Sequence, residues 1–141
     1  MSIFIDTGIF VAFANKRDNH NKRAVELIDQ IRKGGYGMPY TSDYVLDETI
    51  TTSLVRSRSV EVAVRAGTLI LGSKEKGIPA IPRLVRVDEK VIQEAWNMFR
   101  LSRHPKLSFT DHTILSQARA IAGGSIMSFD KDFDGLLDRV F

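Results

Sequence analysis

The stretch SIFIDT, residues 2–7, places a single carboxylate, Asp6, directly after a short apolar run. Short apolar runs of this kind are typical of strands that are buried on both faces of a sheet. An acid at the end of such a strand needs a compensating partner, because an isolated carboxylate is costly inside a protein. In open parallel sheets, ligands bind beyond the carboxyl ends of the strands, which is where Asp6 would lie.

The rest of the chain alternates between extended and helical patterns. Strands are predicted at Ser2–Ile5, Tyr36–Tyr40, Ile81–Val87, Ser125–Phe129 and Arg139–Phe141. Helices are predicted from about Asn19 to Gly34, from Ser42, at Val60–Lys76, from Asp88 and from Ser108, although Thr68–Leu71 also fits a strand. Ser42, Asp88 and Ser108 are residues suited to cap helices, and Trp96 belongs to an apolar stripe that predicts a core position. Alternation without a hairpin signal predicts an α/β fold, with helices covering both faces of a parallel sheet.

The length and composition of the chain exclude several classes of protein function. The chain has 141 residues, 43% hydrophobic and 26% charged, which fits one globular domain. It has no cysteine, so disulfides, thiolate metal sites and cysteine nucleophiles are excluded, and a reducing, cytoplasmic setting is expected. No apolar run is long enough for a membrane span, and no membrane partner is expected. The net charge of +3 is compatible with a nucleic acid partner.

Four acids follow or interrupt apolar segments: Asp6, Glu48, Asp111 and Asp130. If they converge, they repel one another, and either some become protonated or a divalent cation neutralises them. Oxygen ligands without cysteine favour Mg²⁺, with Mn²⁺ as a substitute.

Each acid also has a simpler interpretation. Asp6 could cap the turn at Thr7-Gly8, and Asp111 could complete a capping box with Ser108. Glu48 could lie on a solvated helix face, and Asp130 could belong to an exposed acidic loop.

Taken in order, several motifs resemble those of one family, the PIN-domain ribonucleases. They are Ile3-Phe4-Ile5-Asp6-Thr7, Val45-Leu46-Asp47-Glu48, Ser108-Phe109-Thr110-Asp111 and Ser128-Phe129-Asp130-Lys131-Asp132-Phe133. Within that family, the length of the chain is most similar to that of VapC-type toxins of toxin–antitoxin pairs. The resemblance implies a three-layer α/β/α sandwich with a mostly parallel sheet, formed by a single PIN-like nuclease domain over residues 1–141.

The resemblance also implies roles for individual residues. Asp6, Glu48, Asp111 and Asp130 would be the catalytic, metal-holding acids, and Asp132 would be a less constant fifth acid. Thr7 and Ser128 would support the first and fourth acids, with Ser128 standing where the family usually has threonine. Glu48 is chosen over its neighbour Asp47 because it matches the family position, and a buried Asp47 would overturn that choice.

An acidic cleft needs a basic rim if it is to bind RNA. Candidate phosphate-binding residues are Arg56, Arg58, Arg103, Lys106 and Lys131, with His104 a neighbour in the same loop as Arg103. Phe10, Phe13 and Tyr44 could stack on bases, although their spacing equally fits a helix core.

The function expected from these observations is metal-dependent endonuclease cleavage of single-stranded or loop RNA, by a toxin that a small antitoxin protein neutralises. A homodimer is also expected, and the small residues Ala63, Ala66 and Gly67 would permit either a dimer contact or an internal one. Two alternatives remain: an aspartate-nucleophile phosphatase, which lacks its usual second acid because Gly8 stands there, and a non-catalytic PIN-like RNA-binding module.

Overall fold

A computed structural model describes all residues, 1–141, as a parallel sheet with helices around it. The sheet has five strands in the order β3-β2-β1-β4-β5, and every neighbouring pair is parallel. The elements are β1 (Ser2–Ile5), α1 (Thr7–Ala14), α2 (Asn21–Arg32), β2 (Met38–Ser42), α3 (Asp43–Ser57), α4 (Val60–Leu71), β3 (Arg83–Val85), α5 (Glu89–Arg100), α6 (Phe109–Ile121), β4 (Ser125–Met127), a 3-10 turn (Lys131–Phe133) and β5 (Asp138–Val140). The predicted α/β fold is confirmed.

The strand that carries SIFI lies at the centre of the sheet. β1 pairs with β2 on one side and with β4 on the other, and Ile3, Phe4 and Ile5 are buried. From β1, the strands β2 and β3 are placed one after the other on one side, and β4 and β5 follow on the other side. The direction in which strands are added therefore reverses beside β1. Ligand sites of open α/β sheets form at this point, beyond the carboxyl ends of the strands.

The helices form two groups. α1 packs against α2, α3 and α4, while α5 packs against α6, which lies on β1 and β4. The apolar run after Gly8 becomes α1, whose residues are buried nearly all round. A helix with no polar stripe has no helical periodicity to detect, which explains why the sequence did not indicate it. No helix has both the length and the apolar character needed to cross a membrane.

Local capping signals were predicted well. Ser42, Asp88 and Ser108 each precede a helix and accept a hydrogen bond from a backbone N–H in its first turn. The helix predicted at Val60–Lys76 instead ends at Leu71, because Gly72 adopts a φ of 69°. A Cβ on Gly72 would lie 2.7 Å from the backbone nitrogen of Ala80, so the turn requires glycine. The strand alternative for Thr68–Leu71 is wrong.

Two predictions are decided by how the helices pack in pairs, α5 with α6 and α3 with α4. Trp96 is 50% exposed, so its predicted core position is wrong: α5 packs mainly against α6, and Ala95 is its one buried residue. The small residues Ala63, Ala66 and Gly67 are buried, and a Cβ on Gly67 would lie 3.2 Å from the Ile50 side chain of α3. That stretch therefore makes the internal contact between α3 and α4.

Candidate functional site

Asp6 occupies the centre of the site, between the end of β1 and the start of α1. Its side chain is 6% exposed and both oxygens are hydrogen bonded. Oδ1 accepts from the Thr7 backbone N–H at 2.7 Å, and Oδ2 accepts from the Ser128 hydroxyl at 2.6 Å. Burial raises the pKa of Asp6 to about 7, with further contributions from the charges of Asp111 and Glu48. The helix cap and the buried acid are the same group.

Glu48 is joined to Asp6 through Thr7. The Thr7 hydroxyl donates to Oε2 of Glu48 at 2.6 Å, while the Thr7 backbone N–H donates to Asp6. Glu48 is partly buried in the second turn of α3, whereas Asp47 beside it is exposed. Adjacent helical residues point about 100° apart. The geometry supports the choice of Glu48, because only that side chain turns towards Asp6.

Asp111 caps its own helix and also faces the other acids. Its Oδ2 accepts from the Ser108 N–H at 2.8 Å, and its N–H donates to the Ser108 hydroxyl at 3.1 Å. Burial raises the pKa of Asp111, and the charges of Glu48 and Asp130 raise it further. The capping box and the acidic cluster, which were alternatives in the sequence, are therefore both present.

Ser128 connects Asp130 to the centre of the site. Its buried hydroxyl donates to Asp6 and accepts from the Asp130 backbone N–H at 3.0 Å. Asp130 then accepts through Oδ1 from the Asp132 N–H at 2.8 Å. Serine performs this bridging with the hydroxyl that threonine would also supply. Asp132 itself turns to the loop before α6, where it lines a cavity of about 160 Å³ with Arg103 to Lys106.

The four acids are neighbours, but each carboxylate accepts a hydrogen bond from a nearby backbone N–H or hydroxyl group rather than sharing a ligand. No three His, Asp or Glu side chains of the chain are arranged so as to share one metal ion. The donor set nevertheless fits a hard divalent cation, because it consists of carboxylate oxygens, and burial together with their mutual repulsion raises the pKa of Asp6 and of Asp111. His112 does not belong to this set, since its ring contacts the Ser108 carbonyl and the Phe99 ring.

Of the predicted basic residues, some lie near the four acids and others lie far from them. Arg103 and Lys106 line the cavity beside Asp132, and Lys131 is exposed next to Asp130. Arg56 and Arg58 lie at the end of α3, about 12–15 Å along the helix from Glu48. The expected rim position of these two arginines is therefore not supported.

Two arrangements near the acids were not predicted. Arg139, on β5, donates to both carboxylate oxygens of Asp134 and to the carbonyl oxygen of Ser128. His20 stacks on Phe129, the residue before Asp130. The His20–Phe129 pair depends on a contact between distant parts of the chain, for which the sequence holds no local signal. Of the aromatic residues suggested for base stacking, Phe10 is fully buried and excluded.

The comparison with known families agrees with this geometry. A model of the PIN domain matches residues 3–136. The chain belongs to the PIN domain family. A curated VapC ribonuclease from Archaeoglobus fulgidus is 29% identical over 112 residues, which cover 79% of this PIN chain and 66% of that protein. Its fold is also similar to the crystal structure of VapC20 from Mycobacterium tuberculosis, a toxin that cleaves the sarcin-ricin loop, with 26% identity and a TM-score of 0.78 over 96% of this chain and 97% of that one. The predicted likeness to VapC proteins is confirmed.

Proposed function

We propose that this PIN-domain chain is a metal-dependent endoribonuclease that hydrolyses single-stranded or loop RNA. The observation that carries the proposal is the buried Asp6, whose pKa is raised by burial and by the neighbouring charges of Asp111 and Glu48. Such perturbed carboxylates at the carboxyl ends of parallel strands are typical of functional sites. Similarity to VapC proteins adds support, although the match spans about two thirds of the length of the Archaeoglobus relative.

Asp6, Glu48, Asp111 and Asp130 would hold the ion, for which Mg²⁺ is the expected choice and Mn²⁺ the substitute. A bound divalent cation supplies charge relief at the phosphodiester and acidifies a water molecule. Thr7 and Ser128 fix the orientation of Asp6 and Glu48 through their hydroxyl groups. The attacking water must lose a proton as the P–O bond breaks, and the carboxylates are the bases available at the site.

Arg103 and Lys106, in the loop before α6, would bind the phosphate backbone of the RNA. Arg103 and Lys106 are exposed and form no ion pair within the protein. Phosphate contacts of this kind provide affinity without base selection. They also offset the repulsion between RNA and the acidic cluster, so the two loops beside Asp111 and Asp130 can receive the RNA chain.

Regulation by a small antitoxin protein and a homodimeric state belong to the same proposal. Several apolar side chains of α3 and α4 are exposed, as a protein partner would require; they are Leu54, Val55, Val60, Val64 and Leu71. The site of action would be the cytoplasm, where RNA is available.

The alternatives are less well supported. An aspartyl phosphatase needs a second acid two residues after its nucleophile, and that position is Gly8 in this chain. A binding module without catalysis would not need two neighbouring acids, Asp6 and Asp111, whose pKa values are raised.

The decisive test is cleavage of a short single-stranded RNA and of a stem-loop RNA with Mg²⁺ or Mn²⁺. We expect cuts that disappear with EDTA and fall at least a hundredfold in Asp6→Asn and Glu48→Gln. The matched control is Asp47→Asn, since Asp47 is the exposed neighbour of Glu48 and should be dispensable. Cleavage that persists in EDTA, or turnover of p-nitrophenyl phosphate with intact RNA, would contradict the proposal.

A further inference from the structure

His20 and Phe129 form an aromatic pair at the edge of the acidic cluster. Their ring centroids are 4.4 Å apart and their planes differ by 19°, so the rings are stacked. Phe129 lies between Ser128 and Asp130 in the chain, which fixes the pair beside two residues of the candidate site. The His20 side chain is 60% exposed, so the face of the imidazole away from Phe129 is open to solvent.

The pair is held from both sides. The His20 backbone N–H donates to Oδ1 of Asp18 at 2.8 Å, which fixes the loop before α2. Phe129 is partly buried and packs over Gly8 in the first turn of α1, where an added Cβ would lie 4.0 Å from the Phe129 ring. An exposed ring supported in this way loses little conformational freedom when another flat group stacks on it.

The cations near the pair in the sequence suit a nucleic acid, although Oδ1 of one acid, Asp18, lies 3.8 Å from Nδ1 of His20. Lys16, Arg17 and Lys131 are exposed, and none of them forms an ion pair within the protein. Lys16 and Arg17 belong to the same loop as His20, and Lys131 follows Asp130. Aromatic rings bordered by free cations are typical of single-strand binding sites, where bases stack and phosphates pair with the cations.

We propose that the outer face of His20 is the stacking platform for one unpaired nucleobase next to the phosphodiester that is cleaved. The inference rests on the proposed ribonuclease function and specifies its substrate: the nucleotide beside the cut must be free of base stacking on one face. Stacking requires a flat ring but no proton transfer, so an aromatic residue can replace His20. A continuous duplex, whose bases stack on both faces, does not fit the platform.

The test uses oligoribonucleotides that carry 2-aminopurine, a fluorescent adenine analogue, at successive positions around the mapped cut. They are bound to the Asp6→Asn variant, which prevents cleavage during the measurement. We expect quenching at one position beside the cut. Adding His20→Ala should abolish the quenching and raise the Kd about tenfold, while His20→Phe should preserve both. Asn19→Ala, an exposed residue of the same loop, is the control and should change neither.

Cleavage kinetics separate this inference from the proposed function. With Asp6 intact, we expect His20→Ala to raise KM while kcat stays within about twofold, with His20→Phe near wild type in both. Wild-type cleavage combined with an unchanged KM in His20→Ala would overturn the platform and leave the ribonuclease standing. Loss of kcat in His20→Phe, at an unchanged thermal midpoint, would also overturn it, because it would assign His20 a chemical role. Absence of RNA binding and cleavage by the wild-type protein would overturn both.

Discussion

Asp6 shows how one residue links the fold to the site at a cost in stability. Its folded-state pKa of about 7 lies well above the ordinary value of an aspartate, so the folded protein binds a proton more tightly than the unfolded chain. A carboxyl group whose pKa is higher in the folded state than in the unfolded chain stabilises the folded state at low pH, and this contribution is lost as the pH rises. The metal-free protein should therefore become less stable between about pH 4 and pH 7.

The variant Asp6→Asn tests this cost directly. An asparagine can still accept from the Thr7 N–H and can donate to the Ser128 hydroxyl, but it carries no charge. We expect metal-free Asp6→Asn to be about 2–4 kcal/mol more stable than wild type at pH 8, with the difference vanishing near pH 4. Urea denaturation at several pH values measures it. If the variant were less stable than wild type at pH 8, the claim that the Asp6 charge destabilises the folded state would be contradicted.

Three of the four acids were accessible to sequence reasoning because they carry local signals, whereas Glu48 was chosen over Asp47 through the family resemblance. Asp6 follows an apolar strand, Asp111 lies three residues after a capping serine, and Asp130 follows another strand. The stacking of His20 on Phe129 was not accessible, since the two residues are 109 positions apart in the sequence and only folding makes them neighbours.

At the scale of elements, β5 supports the loop that carries Asp130. Arg139 donates from Nε and Nη2 to the two oxygens of Asp134 at 2.6 and 3.1 Å, and from Nη1 to the Ser128 carbonyl at 3.1 Å. Its guanidinium also lies over the Phe141 ring, 4.0 Å from the centroid. Hydrogen bonding to Arg139 lowers the pKa of Asp134. The arginine therefore fixes both ends of the segment from Ser128 to Asp134.

Arg139→Lys should weaken this support, because one ammonium group cannot reproduce a bidentate contact and a separate carbonyl contact. We expect a lower free energy of unfolding, measured by urea denaturation. We also expect about a tenfold lower kcat for RNA cleavage, since a small displacement of catalytic groups is costly. Arg83→Lys, an exposed substitution on β3, is the control. Equal kcat values for the two variants would contradict a positioning role for Arg139.

Helix starts were easier to predict than helix surroundings. Ser42, Asp88 and Ser108 cap their helices as expected, because capping depends on residues only a few positions away. The stripe with Trp96 was correctly predicted as helical, yet it remains half exposed because α6 is the one helix that packs extensively against α5. An apolar stripe predicts which face turns inwards, but the extent of its cover depends on tertiary packing.

At the scale of the whole molecule, strand order explains why the acids meet. The alternation of strands and helices was sufficient to predict a parallel sheet, but the order β3-β2-β1-β4-β5 depends on which strands pair. That order brings the ends of β1 and β4 together, and α3 and α6 begin at the same edge of the sheet. Acids from four separate segments of the chain consequently form one cluster.

The most direct test of this account is calorimetric titration of the metal-free protein with Mn²⁺. We expect saturable binding in wild type and in Asp47→Asn, at least a tenfold loss of affinity in Asp6→Asn and in Glu48→Gln, and weaker binding below about pH 7, where a proton competes for Asp6. Binding should also raise the thermal midpoint of wild type, because the ion binds the folded state. Equal Mn²⁺ affinity in wild type, Asp6→Asn and Glu48→Gln would contradict the claim that these carboxylates form one cation site.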